Sequence, residues 1–252
     1  MTLTAVAIPS GAWGVDVDAP MTGAMLDAIL SADLHALGVP GAKAGDRVTV
    51  IVRYVGLGGP ARGDIALAEL QLVTGRPEKP ILLLVQHVEA GSWVADGPTG
   101  TLHGKNAAAD AKAAGYDGSL YPGLSLIVDM ESVKNPGPSV VLYVVDWLLQ
   151  TSLSQFGPGV YKGFDAGMTS TELLALNAPL WAAVGQATLT GGATFAALQK
   201  PTIKVGGTQY DPDQFFTDSR GYGFVGLQDI DYVTDIDTGD PHFDPTATTA
   251  VG

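Results

Sequence analysis

The chain has 252 residues, a formal net charge of −13 and no cysteine. Its 46% hydrophobic and 15% charged content is typical of a globular protein with a sizeable core. An acidic balance without a clustered basic patch argues against nucleic acid and against a membrane surface as partners. The missing cysteines exclude disulfides, thiolate metal sites and a cysteine nucleophile.

The N-terminal residues 1–13 lack the basic and the apolar regions of a signal peptide. No apolar run in the sequence reaches the length of a membrane-spanning helix. We therefore expect neither a cleaved signal peptide nor a membrane anchor.

Apolar segments alternate with helical patterns through the first six units of the chain. Strands are predicted over residues 11–18, 47–55, 80–88, 124–132, 159–161 and 179–186. Helices are predicted between them over residues 21–37, 64–73, 105–114, 140–149 and 169–176, the last one capped by Thr169 or Ser170. Two more strands, 223–228 and 232–237, follow each other without a helix.

The alternation and the continuous apolar strands predict an α/β fold with a parallel sheet and helices outside it. About eight strands favour a single (β/α)8 TIM-type barrel over residues 1–252, with a core of about 11–237. The barrel is predicted to be irregular near strands 6–8, with a missing helix and a long loop insertion at 188–222. The acidic tail 238–252 is predicted to be irregular. No GxGxxG or P-loop follows a strand, so nucleotide-binding variants have no support.

The fourth predicted strand ends in two acids, Asp129 and Glu131, spaced two residues apart. Residues i and i+2 of a strand point to the same side, so both carboxyl groups share one face. Two acids on an inward face are costly unless something uses or pairs them. In a β/α barrel the active site lies at the carboxyl ends of the strands. Polar and aromatic side chains stand at the other predicted strand ends: Asp16, Asp18, Arg53, Tyr54, Gln86, His87, Tyr161, Trp181, Gln228, Asp235 and Asp237.

Several of these side chains also have purely structural interpretations. Asp16 or Asp18 could cap the following helix. Arg53 could neutralise a neighbouring acid, and Tyr161 and Trp181 could be core aromatics. No second histidine stands at metal-ligand spacing from the histidine at position 87, and the acidic stretch 229–240 does not fit an EF-hand loop. We expect no metal and no other cofactor.

Acids gathered with aromatic rings suggest a carbohydrate ligand. Glycoside hydrolysis needs a protonated acid for the leaving oxygen and a second carboxylate that stabilises or attacks the cationic centre. Mutual repulsion and partial burial are expected to raise the pKa of one carboxyl group in such a pair, which makes it the acid. Aromatic rings supply flat apolar surfaces for the faces of sugars.

Four short motifs occur in a particular order: GVDV at 14–17, D-x-E at 129–131, GVY at 159–161 and LWAA at 180–183. This order resembles the family 25 glycoside hydrolases, the Chalaropsis-type lysozymes, which are β/α barrels that cut the glycan of peptidoglycan. The chain is more similar to their relatives, the glycoside-hydrolase-like domains of unknown function in actinobacteria and their phages, whose second strand also ends in Arg-Tyr. The resemblance spans about residues 13–237.

The resemblance implies that Glu131 is the proton donor and that Asp129 stabilises the reacting centre or an assisting N-acetyl group. Asp16 would be a supporting acid. Asp18 stands where the family commonly has serine, and Leu227 replaces a tryptophan. The resemblance and the strand ends together predict substrate contacts from Asp18, Arg53, Tyr54, Gln86, Tyr161, Trp181, Gln228 and Asp235.

Two functions follow as hypotheses. In the first, the protein acts on or binds a bacterial cell-wall glycan, either peptidoglycan or a related polysaccharide, as a lysozyme-like glycoside hydrolase. In the second, it is a catalytically inactive barrel that serves as a glycan-binding or structural component of an actinobacteriophage virion, with other virion proteins as partners. The expected location is accordingly the virion, or the cytoplasm before release to the cell wall.

Overall fold

The fold is taken from a computed structural model of the whole chain. It describes residues 8, 11–17, 20–39, 41–56, 64–86, 95–118, 124–130, 133, 137–162, 166–176, 178–182, 203–205, 208–210 and 212–214.

Six parallel strands form a curled sheet, a half-barrel, in the order β6-β5-β4-β3-β2-β1. The strands are β1 (Trp13–Asp16), β2 (Val48–Val55), β3 (Ile81–Gln86), β4 (Leu124–Met130), β5 (Gly157–Lys162) and β6 (Leu180–Ala182). Each lies within or overlaps one of the first six predicted strands. The α/β class and the parallel sheet that alternates with helices are therefore confirmed.

In the described part of the chain, five helices connect or follow these strands. They are α1 (Gly23–Ser31), α2 (Leu67–Thr74), α3 (Gly97–Ala113), α4 (Pro138–Leu153) and α5 (Ser170–Ala175). Side-chain caps fix several of their first turns. Thr22 accepts a hydrogen bond from the Met25 amide at the start of α1. The Thr169 hydroxyl accepts one from the Glu172 amide, while the Glu172 carboxylate accepts from the Thr169 amide, a reciprocal capping box. The cap predicted for Thr169 is confirmed.

Three short strands lie within residues 188–222, where the sequence predicted little regular structure. β7 (Ile203–Val205) and β8 (Thr208–Tyr210) pair with each other, and β9 (Pro212–Gln214) pairs antiparallel with β1. The prediction is corrected here because the free edge of β1 has backbone groups that need partners, and β9 supplies them. The described residues thus show six parallel strands plus one antiparallel edge strand, and not eight parallel strands. The predicted strands at 223–228 and 232–237, and the tail 238–252, lie outside the described residues.

The curled sheet has an apolar cluster on each of its two faces. Along β2, Ile51 and Val55 belong to the large outer cluster that the helices cover, whereas Val50 and Val52 belong to a smaller inner cluster. Side chains alternate between the faces of a strand, so this division assigns the β2 residues from Val50 onward to a side. Val48 belongs to the outer cluster because the register with β1 shifts between Val48 and Val50. The inner cluster also contains Ile8, Leu83, Val85, Ile127 and Trp181.

Helices α3 and α4 pack at unusually short range. A Cβ atom on Gly100 would overlap the Tyr143 carbonyl oxygen, and one on Gly104 would lie 2.8 Å from the Trp147 carbonyl oxygen. α3 begins at Gly97, capped by the Asp96 carboxylate, and not near residue 105 as predicted. Gly100 and Gly104, which precede the predicted helix start, are the residues that let the two helix backbones touch.

No helix in the described part of the chain is both long enough and apolar enough to span a lipid bilayer.

Candidate functional site

The inner face of the half-barrel changes from apolar to polar towards the carboxyl ends of its strands. Alternation on β1 directs Trp13 and Val15 to the outer cluster and Asp16 to the opposite, inner side. The residues brought to this inner end are Asp16, Tyr54, Asp129, Tyr161 and Trp181. Every parallel strand except β3 contributes one of them, and all five were predicted site residues.

Asp16 is held by the side chain of the neighbouring strand. The Tyr54 hydroxyl donates a hydrogen bond of 2.7 Å to one carboxylate oxygen of Asp16. Asp16 is opposite Val52 in the β1–β2 register, so Tyr54 reaches it diagonally from one inward position further along β2. The contact does not support the alternative in which Asp16 only caps a helix, because the described hydrogen bond runs across the sheet and not to α1.

Asp129 is buried at the inner end of β4, with 5% of its surface exposed. Val128 and Met130 on either side of it belong to the outer cluster, which fixes its inward direction. Across the β4–β5 register Asp129 is opposite Tyr161. A carboxyl group with so little access to water costs free energy unless it is hydrogen-bonded or paired. Its register partner on the inner face is a tyrosine.

Tyr161 and Trp181 form an aromatic pair beside Asp129. They are opposite each other in the β5–β6 register, with ring centroids 4.7 Å apart and planes at 64°. Trp181 is only 3% exposed, whereas Tyr161 is half-buried. Tyr161 is therefore the ring of this pair that a ligand can contact, and the buried Trp181 packs against it.

Arg53 is not brought to this group of residues. It alternates with Tyr54, shares the outer side with Ile51 and Val55, and is completely buried. Its guanidinium forms a two-pronged ion pair with Glu69 of α2, with Nε–Oε1 at 2.5 Å and Nη2–Oε2 at 3.2 Å. The predicted substrate contact from Arg53 is thus replaced by the alternative interpretation, the neutralisation of a neighbouring acid.

Gln86 is likewise on the outer side and completely buried. Its amide nitrogen donates to the carbonyl groups of Gly56, at 3.2 Å, and His103, at 3.0 Å. Its amide oxygen accepts the indole N–H of Trp147 at 2.5 Å. Gln86 ties β3 to helices α3 and α4, and this occupies both ends of its amide. A substrate contact from Gln86 is not compatible with this position.

The remaining predicted site residues lie outside the described residues. They are the proposed acid Glu131, with Asp18, Gln228 and Asp235. His87 and Asp237, which stand at predicted strand ends, also lie outside the described residues. Within the described part of the chain, no group of three or more His, Asp or Glu side chains is arranged to hold a metal ion.

Sequence reasoning missed three buried polar residues that matter for this end of the sheet. Glu69 neutralises Arg53, Trp147 satisfies Gln86, and Lys162 is a cation only 2% exposed at the end of β5. A charged residue within a continuous apolar strand is the signal for such a partner, because buried charges must be paired. Arg53 and Lys162 are both charged residues of this kind, but the sequence does not identify the acidic residue that pairs with each of them.

Comparison with known proteins bears only on the fold. No family model matches the chain, and no curated protein matches it. Among solved structures, the chain is similar to one described as an uncharacterized B. stearothermophilus protein, at 15% identity and a TM-score of 0.50. The similarity covers 83% of this chain and 97% of that one. At this identity the match supports a common fold and nothing about activity.

Proposed function

We propose that the inner face at the carboxyl ends of the strands is a carbohydrate site, and that the protein is a lysozyme-like glycoside hydrolase of bacterial cell-wall glycan. The observation that carries the proposal is the placement of Asp129. It is an almost fully buried carboxyl group on the inner face, opposite Tyr161 and on the same side of the sheet as Asp16. Glycoside cleavage requires a pair of carboxyl groups at one site, and an accessible aromatic ring beside them supplies an apolar surface for a sugar.

The roles follow the chemistry of two carboxyl groups. From the resemblance to the family 25 glycoside hydrolases, Glu131 would protonate the leaving glycosidic oxygen. Its two-residue spacing from Asp129 is the spacing that keeps strand side chains on one side. Asp129 would stabilise the positive charge that develops at the sugar, or an assisting N-acetyl group. The half-buried Tyr161 ring would receive one face of a sugar. Neither the linkage nor the stereochemical outcome is part of the proposal.

The test is reducing-end release from purified actinobacterial peptidoglycan. The wild-type protein is expected to release reducing ends, and Glu131→Gln and Asp129→Asn are each expected to lower the rate at least about a hundredfold. Glu78→Gln is the matched control, because Glu78 is a half-exposed acid of the turn before β3 and pairs only loosely with Arg76, at 3.8 Å. Its release rate should equal that of the wild type. Equal rates in all four proteins, or no release by any, would overturn the hydrolase.

A second candidate is a non-catalytic barrel that binds a glycan, as a component of an actinobacteriophage virion. One observation favours it: Arg53 and Gln86 contribute to the interior of the fold and Trp181 is buried, so the described part offers few side chains for a sugar. Retained sedimentation with insoluble peptidoglycan, without any release of reducing ends, would support this candidate over the hydrolase. Loss of that sedimentation in Tyr161→Ala would assign the binding to the inner face.

A further inference from the structure

Residues Arg53 and Tyr54 are consecutive on β2 and therefore point to opposite faces of the sheet. Both nevertheless contact the same short segment, the end of β1. Tyr54 reaches the Asp16 side chain on the inner face, and Arg53 donates through Nη1 to the carbonyl oxygen of Val17 from the outer face. The end of β1 is thus bound from two sides by one dipeptide.

The backbone completes this arrangement. The Val17 amide donates to the Val52 carbonyl at 3.1 Å, which continues the β1–β2 ladder one residue past the strand. Two residues further along the same edge of β2, the Ile65 amide donates to the Tyr54 carbonyl at 2.9 Å. The backbone of Tyr54 is therefore itself fixed, by the segment that leads into α2.

Glu69 extends the arrangement to the helix layer. Its two oxygens hold Nε and Nη2 of Arg53, and this leaves Nη1 directed at the Val17 carbonyl. Guanidinium and carboxylate groups match each other in this paired geometry, so the direction of the remaining donor is well defined. A lysine at position 53 could not make all three contacts.

We infer that Arg53 and Tyr54 are positioning residues, which together hold the Asp16 carboxylate in one orientation at the inner site. Neither is assigned a contact with the substrate: Arg53 is on the far side of the sheet, and the Tyr54 hydroxyl donates to Asp16. The orientation of Asp16 is a property of the folded chain alone. Its effect on catalysis rests on the proposed function.

The direct test measures the orientation of Asp16 by NMR. Three-bond couplings from the backbone nitrogen and carbonyl carbon to Cγ report how the χ1 rotamers of Asp16 are populated. We expect one rotamer in the wild type and averaging over at least two in Tyr54→Phe. In Arg53→Lys we expect faster hydrogen exchange of the Val17 amide, by about tenfold or more.

Tyr116→Phe is the matched control for Tyr54→Phe. The Tyr116 hydroxyl also donates a hydrogen bond of 2.7 Å, to the Leu82 carbonyl, but from the buried outer side. Its loss should lower stability without changing the Asp16 couplings. Averaged couplings in the wild type, or unchanged couplings in Tyr54→Phe, would overturn the inference.

The catalytic test uses the same variants with peptidoglycan. Tyr54→Phe is expected to lower kcat about ten- to hundredfold while KM stays nearly constant, because a misplaced group costs transition-state stabilisation and not binding. In a protein that already carries Asp16→Asn, adding Tyr54→Phe should cost little more. Full additivity of the two losses would show that Tyr54 acts independently of Asp16 and would overturn the catalytic part. If the wild type releases no reducing ends, the proposed function fails, and the couplings alone decide the positioning of Asp16.

Discussion

Trp147 of α4 donates its indole N–H to the side-chain oxygen of Gln86 at the end of β3, at 2.5 Å. Both residues are completely buried, and the Gln86 nitrogen is shared between the carbonyl groups of Gly56 and His103. The end of β3 therefore carries a polar junction between the sheet and two helices, on the side opposite the candidate site.

Replacing Gln86 with methionine should destabilise the fold without affecting the site. The substitution keeps the volume but removes the acceptor of the Trp147 N–H and the side-chain donor to the Gly56 carbonyl, whereas the His103 carbonyl keeps its bond within α3. Buried unsatisfied polar groups cost about 1–3 kcal/mol each. We expect a loss of several kcal/mol in the free energy of unfolding, measured by urea denaturation. Glycan binding or cleavage by the folded variant should equal that of the wild type. A folded Gln86→Met protein with wild-type stability and impaired glycan recognition would return Gln86 to the role of a substrate contact.

The Arg53–Glu69 pair predicts a particular pattern in a double-mutant cycle. Arg53→Met or Glu69→Leu alone leaves one buried charge without compensation, which typically costs about 3–5 kcal/mol. The double variant removes both charges and should be more stable than either single variant. Urea denaturation of the four proteins gives the coupling. If the two losses simply add, the ion pair is not the reason for the burial of Arg53.

The α3–α4 contact predicts that Gly100→Ala is strongly destabilising. A methyl group at Gly100 would overlap the Tyr143 carbonyl, so the helices must separate, and overpacking of this kind costs about 1–3 kcal/mol. Gly23→Ala is the control, since Gly23 is also a glycine within a helix, α1, but its added Cβ would lie 3.8 Å from Leu72 Cδ1, an ordinary contact. That control should be neutral or slightly stabilising, because alanine favours helix. Equal thermal melting of Gly100→Ala and the wild type would contradict the close packing.

His103 predicts a pH dependence of stability. Burial lowers the pKa of His103, whose Nδ1 lies 2.8 Å from the Tyr143 hydroxyl. The folded state therefore binds fewer protons than the unfolded state between the lowered pKa and the ordinary value of about 6.5. Stability from this group is complete above about pH 6.5 and falls as the pH decreases through that window.

The measurement is the difference in melting temperature between pH 7.5 and pH 5. His103→Gln should show a smaller drop than the wild type, because glutamine does not titrate. His35→Gln is the control, since His35 is exposed and its ring lies 3.0 Å from the Ala42 carbonyl, a contact with the backbone of a surface turn. An equal drop in His103→Gln and the wild type would exclude His103 as the source.

The sequence could not show which side chains of a strand point to the inner face of the sheet and which point to the outer face. Arg53 and Tyr54 both stand at the end of β2, and the sequence predicted both as substrate contacts. In a half-buried strand the polar positions would mark the outside, but β2 is apolar on both faces, with Val50 and Val52 inside and Ile51 outside. The alternation is visible in the sequence, whereas its phase relative to the barrel is not. Gln86 was misassigned for the same reason.

The start of α3 was missed for a related reason. Gly97, Gly100 and Gly104 lower helix propensity, so the sequence suggests a loop. Their use depends on α4, which lies about 40 residues away in the chain. Its Tyr143 and Trp147 carbonyl groups occupy the space beside Gly100 and Gly104, and its Asp146 carboxylate occupies the space beside Gly97. No local pattern contains that information.

By itself the sequence determined the α/β class, the six parallel strands and a helix cap at Thr169 or Ser170. These follow from local periodicity and from the two-residue repeat of a strand, which neighbours along the chain already fix. Only the tertiary structure decided that β9 covers the edge of β1, that Arg53 and Gln86 belong to the interior, and that Tyr54 holds Asp16. Those outcomes depend on which distant segment pairs with a buried charge, a buried amide or a strand edge. The sequence shows that such groups require a partner, but it does not identify that partner.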